Sequence, residues 1–372
     1  MEQYDIAVIG LGAAGSATLS ALARSGVRVI GIDRHDPPHD RGSSHGETRL
    51  LRTAYSEGAF YVPLVKRSIR LWRELEERTG ARLFEQTGVV YAGPRDDAFL
   101  MGAQDAAKRW RLKLPAARGL EAWFRLPPDW LTLTDAGGGF LYPERAIGAF
   151  LKDARVHGAT VRRNCRCTAI ERSGDSALIK TSRGTFAAGR VVVTTGAWIG
   201  ELVPELAACT RVERRVLHWF EARRYTMKRG FRPFAVSPGD GRLFYGFPAN
   251  ARGEVKVAEH ETFELVASPD RLRRTISKKD IAAIRPLVER FLPELGRRTR
   301  SAVCMYPMSA DGHFILDRLD PGMVIGAGLS GHGFKFAPAI GEALANLALG
   351  RRQKVDISAF ALARLKTRAI RR

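Results

Sequence analysis

The chain has 372 residues, enough for one large core or two modest ones, and 45% of them are hydrophobic, as in an ordinary globular protein. No apolar run reaches the roughly 18 residues of a membrane span. The first residues include Glu2 and Asp5 and lack the basic start of a secretory signal, so the sequence predicts a cytoplasmic protein that is not inserted in a membrane.

The formal net charge is +21, from 60 Lys and Arg residues against 39 Asp and Glu residues. Such an excess suits nucleic acid or an anionic membrane surface. The arginines are nevertheless spread along the chain, apart from small clusters at residues 211–215, 297–300 and 366–372. A general basic surface is therefore favoured, and a dedicated polyanion partner is the alternative.

The four cysteines are too few for a disulfide framework in a chain of this length. Cys165 and Cys167 stand in a strand-like stretch with no Cys or His pair at the spacing of metal ligands. No metal site is predicted.

The first thirty-odd residues form a complete βαβ pattern. An apolar strand from Tyr4 leads to Gly10, Gly12 and Gly15, a helix follows, and a second apolar strand ends at Asp33. Gly10 allows a tight turn, Gly12 lets a pyrophosphate approach the backbone, and Gly15 lets the helix pack closely on the sheet. The helix N-terminus favours phosphate and Asp33 can bind a ribose. A dinucleotide site is predicted over a chance Gly-rich turn, and the motif does not choose between NAD and FAD.

A polar loop follows at residues 41–52, rich in Gly, Ser, His and Arg. One interpretation is a solvated surface loop. The other is that His45, Arg49 and Arg52 face a ligand, because guanidinium groups suit carboxylate and phosphate.

The middle of the chain predicts further helices and strands. The predicted elements are an amphipathic helix over 61–77 that stops at Gly80, a strand over 83–92, a helix over 144–157, short strands near Val161, Ala169, Ala177 and Phe186, a separate buried strand from Arg190 to a turn at Gly196, and strands over 244–248 and 254–260. Lys256 lies on the last of these, where it either marks the solvent face or has a function.

A second Gly-rich turn lies near the end of the chain. The strand from Met323 leads to a turn through Gly328, Gly331 and Gly333, and a helix then runs to Leu349. Gly-rich turns at both ends of the chain indicate a nucleotide domain built from both termini, with other structure inserted between them.

Four further stretches carry a family resemblance. They are Ser44–Arg52 (SHGETRLLR), Tyr245–Pro248 (YGFP), Cys304–Tyr306 followed by Phe314–Asp317, and Gly328–Lys335 (GLSGHGFK). With the opening βαβ unit they resemble the flavoprotein amine oxidases typified by monomeric sarcosine oxidase and N-methyltryptophan oxidase, and the resemblance covers essentially the whole chain. Two positions depart from it: Glu47 stands where Asp is more common, and Ser44 where some relatives carry His.

The resemblance implies an FAD cofactor, attached through a thioether from Cys304. The alternative for Cys304 is a small buried thiol. The residues implied to hold FAD are Gly10, Gly12, Ala14, Gly15, Asp33, Arg34, Ser43, Thr48, Gly196, Trp198, Cys304, Gly331, His332, Gly333 and Lys335.

The resemblance also implies oxidative demethylation of a secondary amino acid, of the sarcosine or N-methyl-L-tryptophan type, with O2 reduced to H2O2. Arg52 and Lys335 would hold the substrate carboxylate beside Tyr245, and Lys256 would activate oxygen. His45 and Arg49 would lie beside the flavin, with His260 and Tyr306 on the substrate side. The alternatives are a flavin oxidase of glycine, pipecolate or another amino or imino acid, an NAD-dependent dehydrogenase, and a basic binding module on a flavoprotein scaffold.

The predicted fold class is α/β with an α+β second domain. A Rossmann-like FAD-binding domain of the glutathione-reductase and D-amino-acid-oxidase type would comprise residues 1–82, 143–212 and 301–372. A β-sheet substrate domain would comprise residues 83–142 and 213–300. The expected partners are a small amino acid and O2, with no nucleic acid and no membrane, and the expected state is a monomer.

Overall fold

The computed structural model describes residues 2–261 and 264–365. The α-helices are α1 (Ala13–Ala23), α2 (Val62–Thr79), α3 (Ala98–Trp110), α4 (Pro143–Val156), α5 (Ile199–Leu202), α6 (Lys278–Phe291) and α7 (Ala337–Leu349). The strands are β1 (Gln3–Ile9), β2 (Val29–Ile32), β3 (Arg49–Leu51), β4 (Phe84–Glu85), β5 (Val89–Gly93), β6 (Leu131–Asp135), β7 (Gly139–Leu141), β8 (Thr160–Arg162), β9 (Cys167–Ser173), β10 (Ser176–Thr181), β11 (Gly184–Val193), β12 (Thr210–Glu221), β13 (Phe234–Val236), β14 (Phe244–Gly246), β15 (Glu254–Glu259), β16 (Leu265–Val266), β17 (Arg298–Ser309), β18 (Ile315–Asp320) and β19 (Met323–Ala327).

The first large sheet is built around the predicted βαβ unit. Its strands lie in the order β18, β19, β11, β1, β2, β8, and the last five run parallel to one another. β9 and β10 extend the sheet as an antiparallel meander on β11. A parallel sheet with a βαβ crossover at its centre is the Rossmann-like arrangement, so the predicted fold class is confirmed.

Both faces of this sheet are buried, which explains the continuous apolar runs of β1 and β2. Helices α1, α2, α4 and α7 cover one face, where Leu19, Trp72 and Leu344 are fully buried. The meander and the segment after α5 cover the other, with Phe186 and Leu206 in its core.

Gly10 and Gly15 set the turn between β1 and α1. Gly10 has φ +87°, in the left-handed region that favours glycine. A Cβ on Gly15 would lie 1.7 Å from the carbonyl oxygen of Gly10, so only glycine lets α1 start this close to the strand. Gly12 differs, because the nearest atom to its Cβ position is Ser44 Oγ at 3.9 Å. The space over Gly12 is open to a ligand, as the motif predicts.

The rest of the molecule is built on a second large sheet. Its order is β16, β12, β15, β14, β13, β5, β6, with β17 paired along β12. Helix α6 packs against it through Ile284, Leu287 and Phe291. A small third sheet of β3, β7 and β4 lies at the end of the 41–52 loop. The predicted division of the chain into two domains at the stated boundaries stays a prediction.

Three predicted elements differ from the structure. The strand predicted over 83–92 is two strands, β4 and β5, separated at Gly88, which has φ +76°. The strands predicted near Phe186 and from Arg190 are one strand, β11, because its first half pairs with β10 and its second half with β1 and β19. The helix predicted after the turn at Gly333 starts later than expected, since a 3-10 turn over Phe334–Phe336 precedes α7.

No helix within the described ranges is long and apolar enough to cross a membrane.

The contact beneath Gly15 predicts the effect of a single methyl group. Gly15→Ala should destabilise the protein by about 2 kcal/mol or more, because the added Cβ overlaps a backbone oxygen in a close-packed interior. Thermal unfolding measures this as a lower Tm. Gly148→Ala in α4 is the matched control, because its Cβ would meet no atom within 4 Å, and it should be neutral or slightly stabilising. Equal melting temperatures for the two variants would contradict the close contact.

Candidate active site

A cleft runs along the carboxyl ends of the central parallel strands and is open to solvent, with about 1220 Å³ of empty space. Its lining includes Gly10, Gly12 and Ala14 after β1, Asp33 and Arg34 after β2, Gly196 and Trp198 after β11, and Gly328, Gly331 and Gly333 after β19. Ligands of doubly wound folds bind at this edge of the sheet. The two Gly-rich turns therefore meet at one site, although more than 300 residues separate them.

Asp33 is held in a fixed orientation at the end of β2. Its buried carboxylate accepts hydrogen bonds from the backbone N–H groups of Leu11, at 2.6 Å, and His35, at 2.8 Å. The carboxylate thus joins the second strand to the glycine turn. A carboxylate oxygen can accept more than one hydrogen bond, so these contacts leave capacity for a ribose hydroxyl.

The turn at residues 46–48 is clamped from two sides. Glu144 Oε1 accepts hydrogen bonds from the N–H groups of Gly46, at 2.7 Å, and Glu47, at 3.1 Å. On the other side Lys256 Nζ donates to the carbonyl oxygens of Gly46 and Thr48, both at 2.6 Å. The turn therefore has little freedom to move, and it carries His45 and Arg49 with it.

Glu47 adds a third anchor to this turn. Its φ of 70° is unusual for a side chain with a Cβ, and its carboxylate accepts hydrogen bonds from Trp219 Nε1, Asn250 Nδ2 and Arg300 Nη2. Arg300 also binds Glu254, two residues before Lys256 on β15. The Glu47 side chain thus connects the turn to the strand that carries Lys256.

Cys304 lies on β17 beside this loop. Its Sγ is 3.6 Å from the carbonyl oxygen of Ser43 and 3.9 Å from Arg49 Nη2. Burial alone would raise the pKa of the thiol, but interactions with His45 and with the Arg49 guanidinium outweigh burial and lower that pKa to about 7. Thiols with a lowered pKa beside cationic groups are more reactive than inert core thiols, so this environment is compatible with a nucleophilic Cys304.

Lys256 is buried, with 3% of its surface exposed, so the solvent-face interpretation is wrong. Its strand is buried on both faces, which a period-two pattern could not reveal. Nζ lies 4.3 Å from the centroid of the Phe247 ring. Burial and then the nearby charge of Arg49 lower the pKa of Lys256 well below its ordinary value.

Aromatic side chains form the wall next to Cys304. The hydroxyl oxygens of Tyr245 and Tyr306 are 3.5 Å apart, and the His260 ring lies 5.4 Å from the Tyr306 ring. The Arg215 guanidinium lies 4.6 Å above Tyr306. A Cβ on Gly331 would lie 2.3 Å from the Tyr306 ring, so the second Gly-rich turn passes directly over it.

Two buried cations flank the ring of Tyr55. Arg52 Cζ lies 4.9 Å and Lys335 Nζ 5.1 Å from its centroid. Arg52 donates hydrogen bonds to Ser56 Oγ, at 2.8 Å, and to the Glu57 carboxylate. This pairing holds the pKa of Glu57 well below its ordinary range, although burial alone would raise it.

Lys335 is fixed by a chain of hydrogen bonds. Its Nζ donates to the carbonyl oxygen of His332, at 2.8 Å, and to Tyr55 Oη, at 3.2 Å. Tyr55 Oη lies 2.7 Å from His332 Nδ1, and His332 Nε2 lies 3.0 Å from the carbonyl oxygen of Gly312. The carbonyl can only accept, so Nε2 carries the proton and Nδ1 accepts from Tyr55. Burial and then the charge of Arg52 lower the pKa of Lys335 to about 7.

Three buried polar atoms around the cleft have no hydrogen-bond partner within the described part of the chain. They are His45 Nε2, Thr48 Oγ1 and Thr195 Oγ1. A buried polar group without a partner costs about 1–3 kcal/mol. These atoms of the two loops that border the cleft are therefore available to hydrogen-bond a ligand.

The predicted site residues divide into two sets by position. Those that line the cleft are Gly10, Gly12, Ala14, Asp33, Arg34, Ser43, Arg49, Gly196, Trp198, Tyr306, Gly331 and Gly333. Those that stand behind or beside this lining are Gly15, His45, Thr48, Arg52, Tyr245, Lys256, His260, Cys304, His332 and Lys335. The individual role of each residue stays a prediction.

Sequence reasoning missed Tyr55, Glu57 and Glu144. Tyr55 and Glu57 follow directly on the polar loop, so extending that loop by five residues would have included both. Glu144 is 98 residues from Gly46 and opens a helix, which gave no local signal of a role in the site.

Comparison with known proteins places this geometry in a family. The model of the DAO family, described as FAD dependent oxidoreductase, matches residues 5–347. The chain is 37% identical to N-methyl-L-tryptophan oxidase of Salmonella dublin and 36% identical to that of Citrobacter koseri, in both cases over 97% of this chain and 99% of the relative. Among solved structures it is similar to NikD, described as an unusual amino acid oxidase essential for nikkomycin biosynthesis, with a TM-score of 0.85, 25% identity and coverage of 97% of this chain and 98% of NikD.

These matches confirm the resemblance seen in the sequence motifs. They also settle the dinucleotide that the glycine motif left open, because the family is defined by FAD, and the NAD-dependent alternative is wrong. The chain belongs to the DAO family of FAD dependent oxidoreductases, in the group that contains the N-methyl-L-tryptophan oxidases.

Proposed function

We propose that the protein is an oxidase that removes the methyl group of N-methyl amino acids. A secondary amine R–NH–CH3, O2 and water would give R–NH2, formaldehyde and H2O2. The observation that carries this proposal is a pair of buried cations, Arg52 and Lys335, which flank the Tyr55 ring and share one nearby carboxylate, that of Glu57, which is hydrogen-bonded to Arg52. Two buried cations with one anion favour a second anion, and the carboxylate of an amino acid supplies it.

The residues around the cleft fit FAD. Gly12 leaves the backbone open to a pyrophosphate, Asp33 is oriented for a ribose, and Thr48, Thr195 and His45 each have a buried polar atom without a partner. When bound, FAD supplies the acceptor for a hydride equivalent from the substrate and passes both electrons to O2. The protein's own part is to bind, orient and stabilise charge.

Cys304 would hold the cofactor covalently through its sulfur, with the C–S bond replacing the thiol S–H bond and a C–H bond of the cofactor, and with O2 as the final acceptor of the two electrons and two protons released. The lowered pKa of the thiol, the adjacent Arg49 and the position beside the Ser43 loop all suit a nucleophilic sulfur at the edge of the cleft. His45 and Arg49 would stabilise the thiolate before the bond forms.

Lys256 would assist the reaction with O2. Burial and the Arg49 charge lower the pKa of Lys256, and a negative charge that develops nearby would offset both and favour the protonated lysine. Charge that develops on O2 as it accepts electrons would be stabilised there, which is electrostatic catalysis by a preorganised group. The clamp at residues 46–48 fixes the position of Nζ.

Tyr245, His260 and Tyr306 would line the substrate side, opposite the cations. Burial and then the charge of Arg215 lower the pKa of His260 to about 3, so its ring would face the substrate uncharged. Within the substrate class, the names of the relatives favour N-methyl-L-tryptophan over sarcosine. A monomeric state and a location in the cytoplasm remain proposals from the sequence.

The substrate proposal is tested with a panel of amines and peroxide detection. N-methyl-L-tryptophan should give formaldehyde and H2O2, and sarcosine should be at least about tenfold poorer in kcat/KM because it fills less of an aromatic pocket. N-methyltryptamine is the matched control that lacks only the carboxylate. It should be poorer by about 10²-fold or more, since Arg52 and Lys335 gain no anion.

Turnover of N-methyltryptamine as fast as of N-methyl-L-tryptophan would refute the cation pair as the carboxylate site. Turnover of glycine or pipecolate alone would replace the proposed substrate class with another amino or imino acid.

Lys256→Met should slow the reaction with oxygen far more than the reaction with substrate. Removing one preorganised charge from a developing anion costs about 10²–10³ in rate. Stopped-flow measurement separates the two half-reactions, with anaerobic reduction by substrate followed by mixing with O2. Lys180→Met is the control, because Lys180 is exposed on β10 and paired with Glu171. Equal slowing of both half-reactions by Lys256→Met would assign Lys256 to structure.

Cys304→Ala should release the cofactor. After acid precipitation the yellow colour of the unsubstituted protein should stay in the pellet, and that of Cys304→Ala should move to the supernatant. Cys209→Ala is the control, because Cys209 is a free thiol away from the cleft lining. Flavin of the unsubstituted protein in the supernatant would show that the link is not covalent.

A further inference from the structure

The segment of residues 264–277 crosses from the second large sheet to the nucleotide end of the cleft, and we call it the Asp270 segment. It begins with β16, which pairs with β12. Leu272 and Ile276 then pack in an apolar cluster with Ala197, Val303 and Met305. The segment is therefore anchored on the strand that carries Cys304 and on the turn after β11.

Asp270 itself joins two residues of the cleft lining. Its Oδ1 accepts a hydrogen bond from Trp198 Nε1 at 2.8 Å and lies 3.2 Å from Arg34 Nη2. The Arg34 guanidinium in turn lies 4.8 Å from the centroid of the Trp198 ring. Asp270, Arg34 and Trp198 thus form a closed triad in which each member contacts the other two.

Arg274 fastens the same segment a second time. Its guanidinium donates to the carbonyl oxygens of Asp40, at 3.0 Å, and Arg41, at 2.8 Å. Those residues precede Gly42 and Ser43 in the cleft lining. The Asp270 segment therefore touches the loops after β2 and after β11 at once.

The triad lies at the ribose end of the cleft. Arg34 follows Asp33 at the end of β2, whereas Gly331 and Gly333 follow β19, three places away in the sheet order. Adjacent strands are about 4.8 Å apart, so the two ends are separated by about 14 Å. If Asp33 binds a ribose, as its position predicts, the contacts of Asp270 would concern the nucleotide half of the cofactor and not the reacting ring.

We propose that Asp270 is a positioning residue for the adenosine half of FAD, which it retains in the cleft by holding Arg34 and Trp198 over it. The inference rests on the FAD family and on these contacts, and it does not depend on the substrate. Asp270 does not itself line the cleft, so it would act through its two partners.

Two physical arguments support this role. Arg34 and Trp198 both line the cleft, and a ligand beside them would remove water from the triad and strengthen its charge-assisted hydrogen bonds. The ion pair between Arg34 and Asp270 is also partly exposed, with 21% and 45% of the two side chains accessible to solvent. Its effect on retention should therefore weaken in high salt.

The experiment uses the Cys304→Ala protein, in which FAD can leave. Adding Asp270→Ala should raise the dissociation constant of FAD about tenfold, measured by the fluorescence of released flavin. In 1 M NaCl the difference between the two proteins should shrink. Asp240→Ala in the same background is the matched control. Asp240 is an exposed aspartate paired with Arg242, and it lies in the loop between β13 and β14 of the second large sheet.

Hydrogen exchange supplies a second measurement that is independent of affinity. FAD should protect the amides of residues 264–277 in the Cys304→Ala protein and should not do so once Asp270 is Ala. Circular dichroism and Tm establish that each variant is folded, and Asp270→Asn replaces Asp270→Ala if the latter is not.

A folded Asp270 variant that binds FAD as tightly as the parent would overturn the proposal, as would the absence of FAD-dependent protection in the parent. The outcome is separate from the proposed demethylation, because no amine is present in either measurement.

Discussion

The site depends on one contact, in which Lys256 Nζ donates hydrogen bonds to the carbonyl oxygens of Gly46 and Thr48. It fastens the loop after the nucleotide-binding unit to a strand of the second sheet, more than 200 residues away in the chain. Glu144 holds the same turn from the opposite side through its N–H groups. Without this clamp the loop would be the solvated segment that its composition also allowed, and Arg49 would have no fixed relation to Cys304.

The other cations of the site are held by the same kinds of neutral contact. Arg49, Lys256, Arg52 and Lys335 are buried or partly buried, and each is surrounded by backbone carbonyls, hydroxyls or aromatic faces as well as by acids. Carbonyl oxygens satisfy the donors without neutralising the charge. The guanidinium groups therefore keep a positive potential in the site, and together with burial they lower the pKa of both lysines.

Much of the fold was predictable from the sequence, and the reasons are local. Gly10, Gly12, Gly15 and Asp33 stand within one βαβ unit, where spacing alone fixes geometry, and the structure places them as predicted. The environment of Lys256 was not predictable in this way, because a lysine in an apolar strand looks the same whether its second face meets water or another loop. Glu144 was invisible for a similar reason. Its partners come from a loop that is distant in the chain, and only the tertiary fold brings them together.

The pairing of Arg52 with Glu57 has a consequence for how a substrate gains affinity. Because Arg52 already donates to the Glu57 carboxylate, a second carboxylate that arrives beside Glu57 would gain little at that guanidinium. Lys335 is different, because its hydrogen bonds go to a carbonyl and a hydroxyl, and Glu57 acts on it only through its charge. Burial and the charge of Arg52 have already lowered its pKa to about 7. An arriving carboxylate would oppose both effects and raise the pKa of Lys335, so under the proposed function the gain in charge pairing would fall on this lysine, while Arg52 would supply orientation.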